Sequence, residues 1–150
     1  MRAVIQRVSE ASVSIDGIER AHIRTGLLVL LGIAVGDTSE DLEWLCGKIA
    51  RLRIFPDDDD VMNLDINEAN GEILLVSQFT LQASTAKGNR PSHIHAARPE
   101  EAMPLYLRAK QLLNELIAMR VKTGEFGANM QVALVNDGPV TITIDSKHRE

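Results

Sequence analysis

The sequence predicts an α+β fold: a mostly antiparallel sheet or barrel with two covering helices, with residues 1–150 forming one domain. Three observations carry this reading. Most apolar residues fall in short runs with a period of two, bounded by turn residues. Two longer stretches, one starting near residue 36 and one near residue 98, switch to a spacing of three and four. The chain has 150 residues, enough to bury one core and too few for two ordinary domains.

The elements follow in order. Residues 1–8, MRAVIQRV, alternate apolar and polar positions as a strand does. SVSIDGIERAHI places Asp16 and Gly17 between two alternating runs, the composition of a tight hairpin turn. GLLVLLGIAV, residues 26–35, is apolar at nearly every position, which predicts a strand buried on both faces. In GDTSEDLEWLCGKIARLRIF, Thr38 and Asp41 have capping-box spacing, and Leu42, Leu45, Cys46 and Ile49 recur at three and four. That is an amphipathic helix of roughly four turns.

PDDDDVMNLDINEANG reads as a polar connection, and EILLVSQFTL, residues 72–81, as the next strand. RPEEAMPLYLRAKQLLNELIAM gives the second helix, with Leu105, Leu112, Leu113, Leu116 and Ile117 facing the core. Pro104 is expected near the start of that helix, because farther in it would break the backbone ladder. MQVALV and VTITID read as two closing strands joined by the turn NDGP.

Bulk composition narrows the function. A net charge of −5 argues against a protein that coats nucleic acid through a broad basic surface, though not against a small contact with a nucleic-acid end. With 3% aromatic residues, a platform that stacks several successive bases is not expected. No apolar run approaches the ~18–20 residues that span a bilayer, and the first residues lack the apolar block of a signal peptide. The single cysteine, Cys46, fits a reducing cytoplasm and falls on a helix's apolar face, a core position rather than a nucleophile's.

Four stretches carry residues capable of chemistry. The aspartate run Asp57–Asp60 lacks the alternating ligands and glycine of a calcium loop and reads as a solvated turn. His93 and His95 would share a face of an extended segment, but no third ligand stands at metal-site spacing; no metal and no cofactor are expected. Ser77, Gln78 and Thr80 place hydroxyls and an amide at the end of a buried strand. Alternation would put Gln78 and Thr80 on one face, and Ser77 and Phe79 on the other. A hydroxyl nucleophile needs a base in reach, and none is adjacent, so these groups either bond to nearby backbone or wall a polar site. In NDGPVT a proline two residues into a strand pair is awkward, since it cannot donate to the ladder. A cis Gly138–Pro139 bond would point two carbonyl oxygens the same way, an acceptor pair suited to an ammonium group.

Together, SQFTL at 77–81 and GPVT at 138–141 resemble the two signature motifs of the D-aminoacyl-tRNA deacylases. The resemblance runs through MRAVIQRV, GLLVLLG, LRIF, KGNRPS and NDGPVT, essentially the whole chain. It implies a homodimeric hydrolase with a barrel-like fold that cleaves the ester between a D-amino acid and the terminal adenosine of tRNA. It also implies that glycyl-tRNA mischarged on tRNA-Ala is accepted, because glycine has no side chain to exclude. Carried over, Ser77, Gln78, Phe79 and Thr80 line the pocket around the scissile ester. Gly138 and Pro139 of the other subunit hold the substrate's α-ammonium with their carbonyl oxygens. Lys87 and Arg90, with Arg2 and Arg7 as helpers, would meet acceptor-end phosphates. Thr80 acts either as nucleophile or beside a reaction assisted by the ribose 2′-hydroxyl. Two positions depart from the family's habit: Ala86 replaces a frequent basic residue, and His93 stands where an aromatic often follows RPS. Rival readings are an RNA-end-binding module without catalysis and a generic esterase, the latter lacking a nucleophile elbow.

Overall fold

In the computed structural model, which describes residues 1–149, the strands are β1 (Arg2–Ile15), β2 (Ile18–Ile23), β3 (Gly26–Gly32), β4 (Phe55–Pro56), β5 (Met62–Leu64), β6 (Glu72–Ser77), β7 (Val121–Thr123) and β8 (Gln131–Asp145). The helices are α1 (Ser39–Ala50) and α2 (Pro99–Leu116), with a turn of 3-10 helix at Phe79–Gln82. The α+β expectation holds. The sheet is mixed rather than purely antiparallel: β1 pairs antiparallel with β2, β3 and β8, whereas β3–β6 and β6–β7 are parallel.

β1 is the spine of the sheet. Arg2–Val8 pair with β3 and Ala11–Ile15 with β2, while β8 runs along the other edge from Arg2 to Ser14. Asp16 and Gly17 both take positive φ, 52° and 76°, as the predicted tight turn requires. The sheet curls until β2 nears β7, where Lys122 Nζ donates to the His22 carbonyl at 2.7 Å.

Curling gives the sheet two buried faces. Val8, Val13, Ile23, Leu28, Leu74 and Val76 pack inside the curl. Ile5, Leu27, Val29, Ile73 and Leu75 pack under the helices against Leu45, Ile49, Ala109 and Leu113. Successive residues of β3 therefore enter different cores, which is why GLLVLLG has no polar position. Each such side chain contributes about 1.5–3 kcal/mol by leaving water. β3 ends at Gly32 rather than 35, and Ala34 continues only as an isolated bridge to Ala96.

α1 is shorter than expected, twelve residues, and starts at the predicted capping box: Thr38 N–H donates to Asp41 Oδ2 at 3.0 Å. Leu42, Leu45, Cys46 and Ile49 are buried as the spacing required. Asp41 does more than cap. Lys147 Nζ donates to its Oδ2 at 2.6 Å, tying the segment after β8 to the helix. Burial opposes ionisation of Asp41, but the bonds from Lys147, Thr38 and Ser146 outweigh it and hold the carboxyl well below its usual range. A depressed carboxylate stabilises the fold above its unfolded value, and that stability is lost as pH falls through the folded one. Asp41→Asn is therefore expected to cost about 2 kcal/mol at pH 7 in denaturant unfolding. The gap to wild type should narrow below about pH 4; a gap unchanged down to pH 2 would remove the carboxylate from this role.

Two expectations need correction. α2 begins at Pro99, so Pro104 lies inside the helix, one turn in, with its ring on the exposed side where water can satisfy the freed carbonyl. As the spacing predicted, Leu113 and Ile117 are buried and Leu105, Leu112 and Leu116 pack, partly buried, against the same core; Ala102, Tyr106 and Ala109 complete the buried stripe of α2. MQVALV and VTITID are not a hairpin but one continuous strand, β8, both halves of which pair with β1.

Candidate active site

β6 leaves the sheet at Ser77 instead of running to residue 81. Gln78 N–H donates to the Leu31 carbonyl at 2.8 Å, and the chain then tightens into the Phe79–Gln82 turn. Gly32 permits this seat: a Cβ there would lie 2.8 Å from both the Gln78 oxygen and Leu81 Cβ. Buried Gln82 donates from Nε2 to the Gly32 carbonyl at 2.8 Å. Arg2 locks the turn from outside, with Nη1 on the Leu81 carbonyl at 3.0 Å and Nε on Asp145 at 2.8 Å. The alternation expected for residues 77–80 is lost, because the backbone is no longer extended.

The consequence is a cavity of about 510 Å³ lined by Ser77, Gln78 and Phe79. Its far wall is Phe126–Met130, and its floor includes Pro99 and Ala102 of α2. That size suits a small organic ligand or one nucleoside. Tyr106 supports the floor, donating from its hydroxyl to the Leu75 carbonyl at 2.9 Å with its ring 5.5 Å from that of Phe126. The far wall was missed in the sequence because FGANM carries no chemical signature; only a phenylalanine inside a glycine turn hinted at it.

Thr80 is exposed and, unlike Ser77, Gln78 and Phe79, is not among the residues that line this cavity; its hydroxyl accepts a hydrogen bond from Gln78 Nε2. An amide cannot take the hydroxyl's proton, and among the described residues no carboxylate or imidazole bonds to Thr80 or Ser77. The Phe79 and Thr80 N–H groups, opening the 3-10 turn, donate to no protein acceptor among the described residues. Burial pushes the Cys46 thiol up to about 12, which with its core position makes it inert. Among the described residues no group of His, Cys, Asp or Glu is arranged to hold a metal. The site is thus an apolar slot with an amide–hydroxyl edge and free backbone donors.

The second motif lies elsewhere. In β8, Asn136 pairs with Val8 and Thr141 with Gln6, so Asp137–Val140 bulge out opposite Arg7. The Gly138–Pro139 bond is cis, and Gly138 has φ +135°, a backbone conformation that L side chains rarely adopt. Arg7 clamps this bulge from beneath. Its Nη1 donates to the Ile54 carbonyl at 2.6 Å and its Nε to the Asp137 carbonyl at 3.0 Å. Asn136 Oδ1 accepts from Val140 N–H at 3.0 Å on the other side. Gly138 and Pro139 are exposed and do not line their own chain's cavity.

Of the basic residues, Lys87 and Arg90 are exposed on a loop closed by paired bonds between Ser84 and Ser92, 2.8 and 2.9 Å. Arg7 is buried on carbonyls and is no phosphate partner, and Arg2 is engaged with Asp145. His93 packs edge-on against Phe79, while the carbonyl of His95 accepts from Val35 N–H at 3.0 Å. Asp57 turns the β4–β5 connection by accepting from Asp59 and Val61 N–H, the solvated turn expected there.

Comparison with known proteins places this geometry. Residues 4–145 match the family described as D-Tyr-tRNA(Tyr) deacylase. The chain is 59% identical to a D-aminoacyl-tRNA deacylase of Cytophaga hutchinsonii and 58% identical to that of Akkermansia muciniphila, each over 100% of both chains. Among solved structures it resembles one titled c-Myc DNA Unwinding Element Binding Protein, at 41% identity and TM-score 0.92, covering 97% of this chain and 98% of that one. A probable eukaryotic D-amino acid tRNA deacylase, 17% identical, shares the fold at TM-score 0.80, covering 95% and 97%. The exposed glycine–proline bulge and the SQFTL cavity thus sit in a frame matched along its whole length, and the chain belongs to the D-Tyr-tRNA(Tyr) deacylase family.

Proposed function

We propose that this protein hydrolyses the ester of D-aminoacyl-tRNA, releasing the D-amino acid and tRNA, in a homodimer whose two copies complete each other's site. The observation that carries the reading is the separation of the two motifs: the Gly138–Pro139 bulge is rigid, exposed and away from its own cavity. A second copy would bring it to the Ser77–Thr80 edge. β8 supports this, being a fifteen-residue strand that among the described residues pairs only with β1, with Leu134 and Val135 36% and 50% exposed. A long, partly apolar edge of this kind invites pairing with another chain.

The terminal adenosine occupies the cavity, and the partner's Gly138 and Pro139 carbonyls hold the α-ammonium. With the ammonium and the ester carbonyl fixed, chirality decides where the side chain points. A D-side chain faces solvent, so many are accepted. An L-side chain meets the wall and is rejected by clash, and glycine passes. Water adds to the ester carbon, the Phe79 and Thr80 N–H groups stabilise the oxyanion, and the ribose 3′-oxygen leaves with a proton. The neighbouring 2′-hydroxyl orients the water, since among the described residues no carboxylate or imidazole bonds to the Ser77 or Thr80 hydroxyl. Lys87 and Arg90 meet the nearby phosphates, and the enzyme works in the cytoplasm, where charged tRNA is used. Among the described residues no helix is long and apolar enough to cross a membrane.

The test is amino-acid release from D-Tyr-tRNA and L-Tyr-tRNA at catalytic enzyme concentration. The D-ester should be hydrolysed at least about 10²-fold faster. Equal rates would end the chiral reading. Binding without release from either would favour a nucleic-acid-end binder, the class that the DNA-element-binding title of the 41% identical structure suggests.

A further inference from the structure

The chain has five aromatic side chains, three Phe, one Tyr and one Trp. Phe55 and Tyr106 are buried, Phe126 lines the cavity, and Trp44 lies beneath Arg149, 4.4 Å from its ring centre. Phe79 alone is exposed, at 57%, on the cavity rim. His93 meets it edge-on, with ring centroids 5.0 Å apart and planes at 73°. An edge-on pair is a favourable arrangement that covers at most one face of either ring. The pair is also held in place. The 3-10 turn carrying Phe79 is seated on Gly32, and His93 follows directly on the paired backbone hydrogen bonds between Ser84 and Ser92. The loop which that pairing closes carries exposed Lys87 and Arg90.

An open aromatic face at the lip of a nucleoside-sized cavity, with two exposed cations on the loop that ends next to His93, has the composition of a single-strand stacking site. We propose that Phe79 and His93 stack the penultimate base of the tRNA 3′ end, with Lys87 and Arg90 on the adjoining phosphates. This rests on the deacylase reading, in which the terminal adenosine fills the cavity; the next nucleotide of the strand must then cross the rim. The subsite takes one base, in keeping with an acidic chain that has few aromatic residues. It also gives His93 a role: the imidazole keeps a planar ring at the position.

The test measures affinity of the intact protein for an uncharged acceptor-stem minihelix, and for the same minihelix abasic at the penultimate nucleotide. Wild type should bind the abasic form about tenfold more weakly, within the range of one stacked base. His93→Ala should weaken the intact minihelix about as much and the abasic one little further, while His93→Trp keeps the affinity. Equal binding of the two minihelices by wild type would overturn the subsite. So would an equal loss on both with His93→Ala, which would make the imidazole a mere support for the loop, or a loss with Trp as large as with Ala. The deacylase reading is tested separately by wild-type hydrolysis of D-tyrosyl-adenosine, which has no penultimate nucleotide. Absence of that hydrolysis would fail the reading while the minihelix comparison still decides the subsite.

Discussion

Replacing the terminal adenosine of D-Tyr-tRNA by 2′-deoxyadenosine is expected to abolish nearly all turnover, whereas Thr80→Ala should stay within about tenfold of wild type. The Thr80 hydroxyl is bonded by Gln78's amide, which can position it but cannot receive its proton. A nucleophile without a base is a weak one. The substrate's own 2′-hydroxyl is the remaining group able to orient water next to the ester. Positioned proton-handling groups of this kind are worth about 10²–10⁴-fold, and the deoxy substrate should lose that much. Single-turnover hydrolysis with enzyme in excess separates this loss from weaker binding. Rapid cleavage of the deoxy ester, or a Thr80→Ala variant as inert as the deoxy substrate, would return the nucleophile's role to Thr80.

Gly138→Ala should be nearly as damaging. A Cβ at that position would lie 2.7 Å from Val140 Cγ2, 3.0 Å from Val140 N and 3.1 Å from Arg7 Nη2, on a residue at φ +135°. The strain costs about 1–3 kcal/mol and can be relieved only by moving the bulge. A shift of about 1 Å in groups that position a substrate costs on the order of 10²-fold in kcat/KM. Arg7→Ala should add a clear loss of stability, because the Ile54 and Asp137 carbonyls lose a buried donor. The cross-subunit arrangement gives the sharpest version. Gly138→Ala subunits mixed equally with Gly32→Ala subunits, whose added Cβ would push the Gln78–Leu81 turn from its seat, each nearly inactive alone, should regain about a quarter of wild-type activity. Half the dimers are then mixed, and each mixed dimer has one site with both parts intact. No recovery after subunit exchange would place both motifs in one chain's site.

Much of this protein was legible in its residues. Period and turn chemistry located the first half of β1, which runs on to Ile15 past the strand expected at residues 1–8, along with the Asp16–Gly17 hairpin, the two-faced burial of β3 and the capping box of α1, because each depends on contacts a few residues apart or on burial alone. The SQFTL and GPVT stretches identified the family. What the residues left open was every feature set by distant partners. SQFTL looks like the end of a strand, yet β3 stops at Gly32 and offers no further ladder, so the chain turns and opens a cavity. NDGP looks like a hairpin turn, yet β1 is long enough to pair with both flanks, and Arg7 anchors the bulge between them. Arg7 itself reads as a surface cation, and only packing places it under carbonyls 47 and 130 residues away. Local sequence sets local geometry; which backbone groups remain to be satisfied at a strand end is decided by the strands beside it.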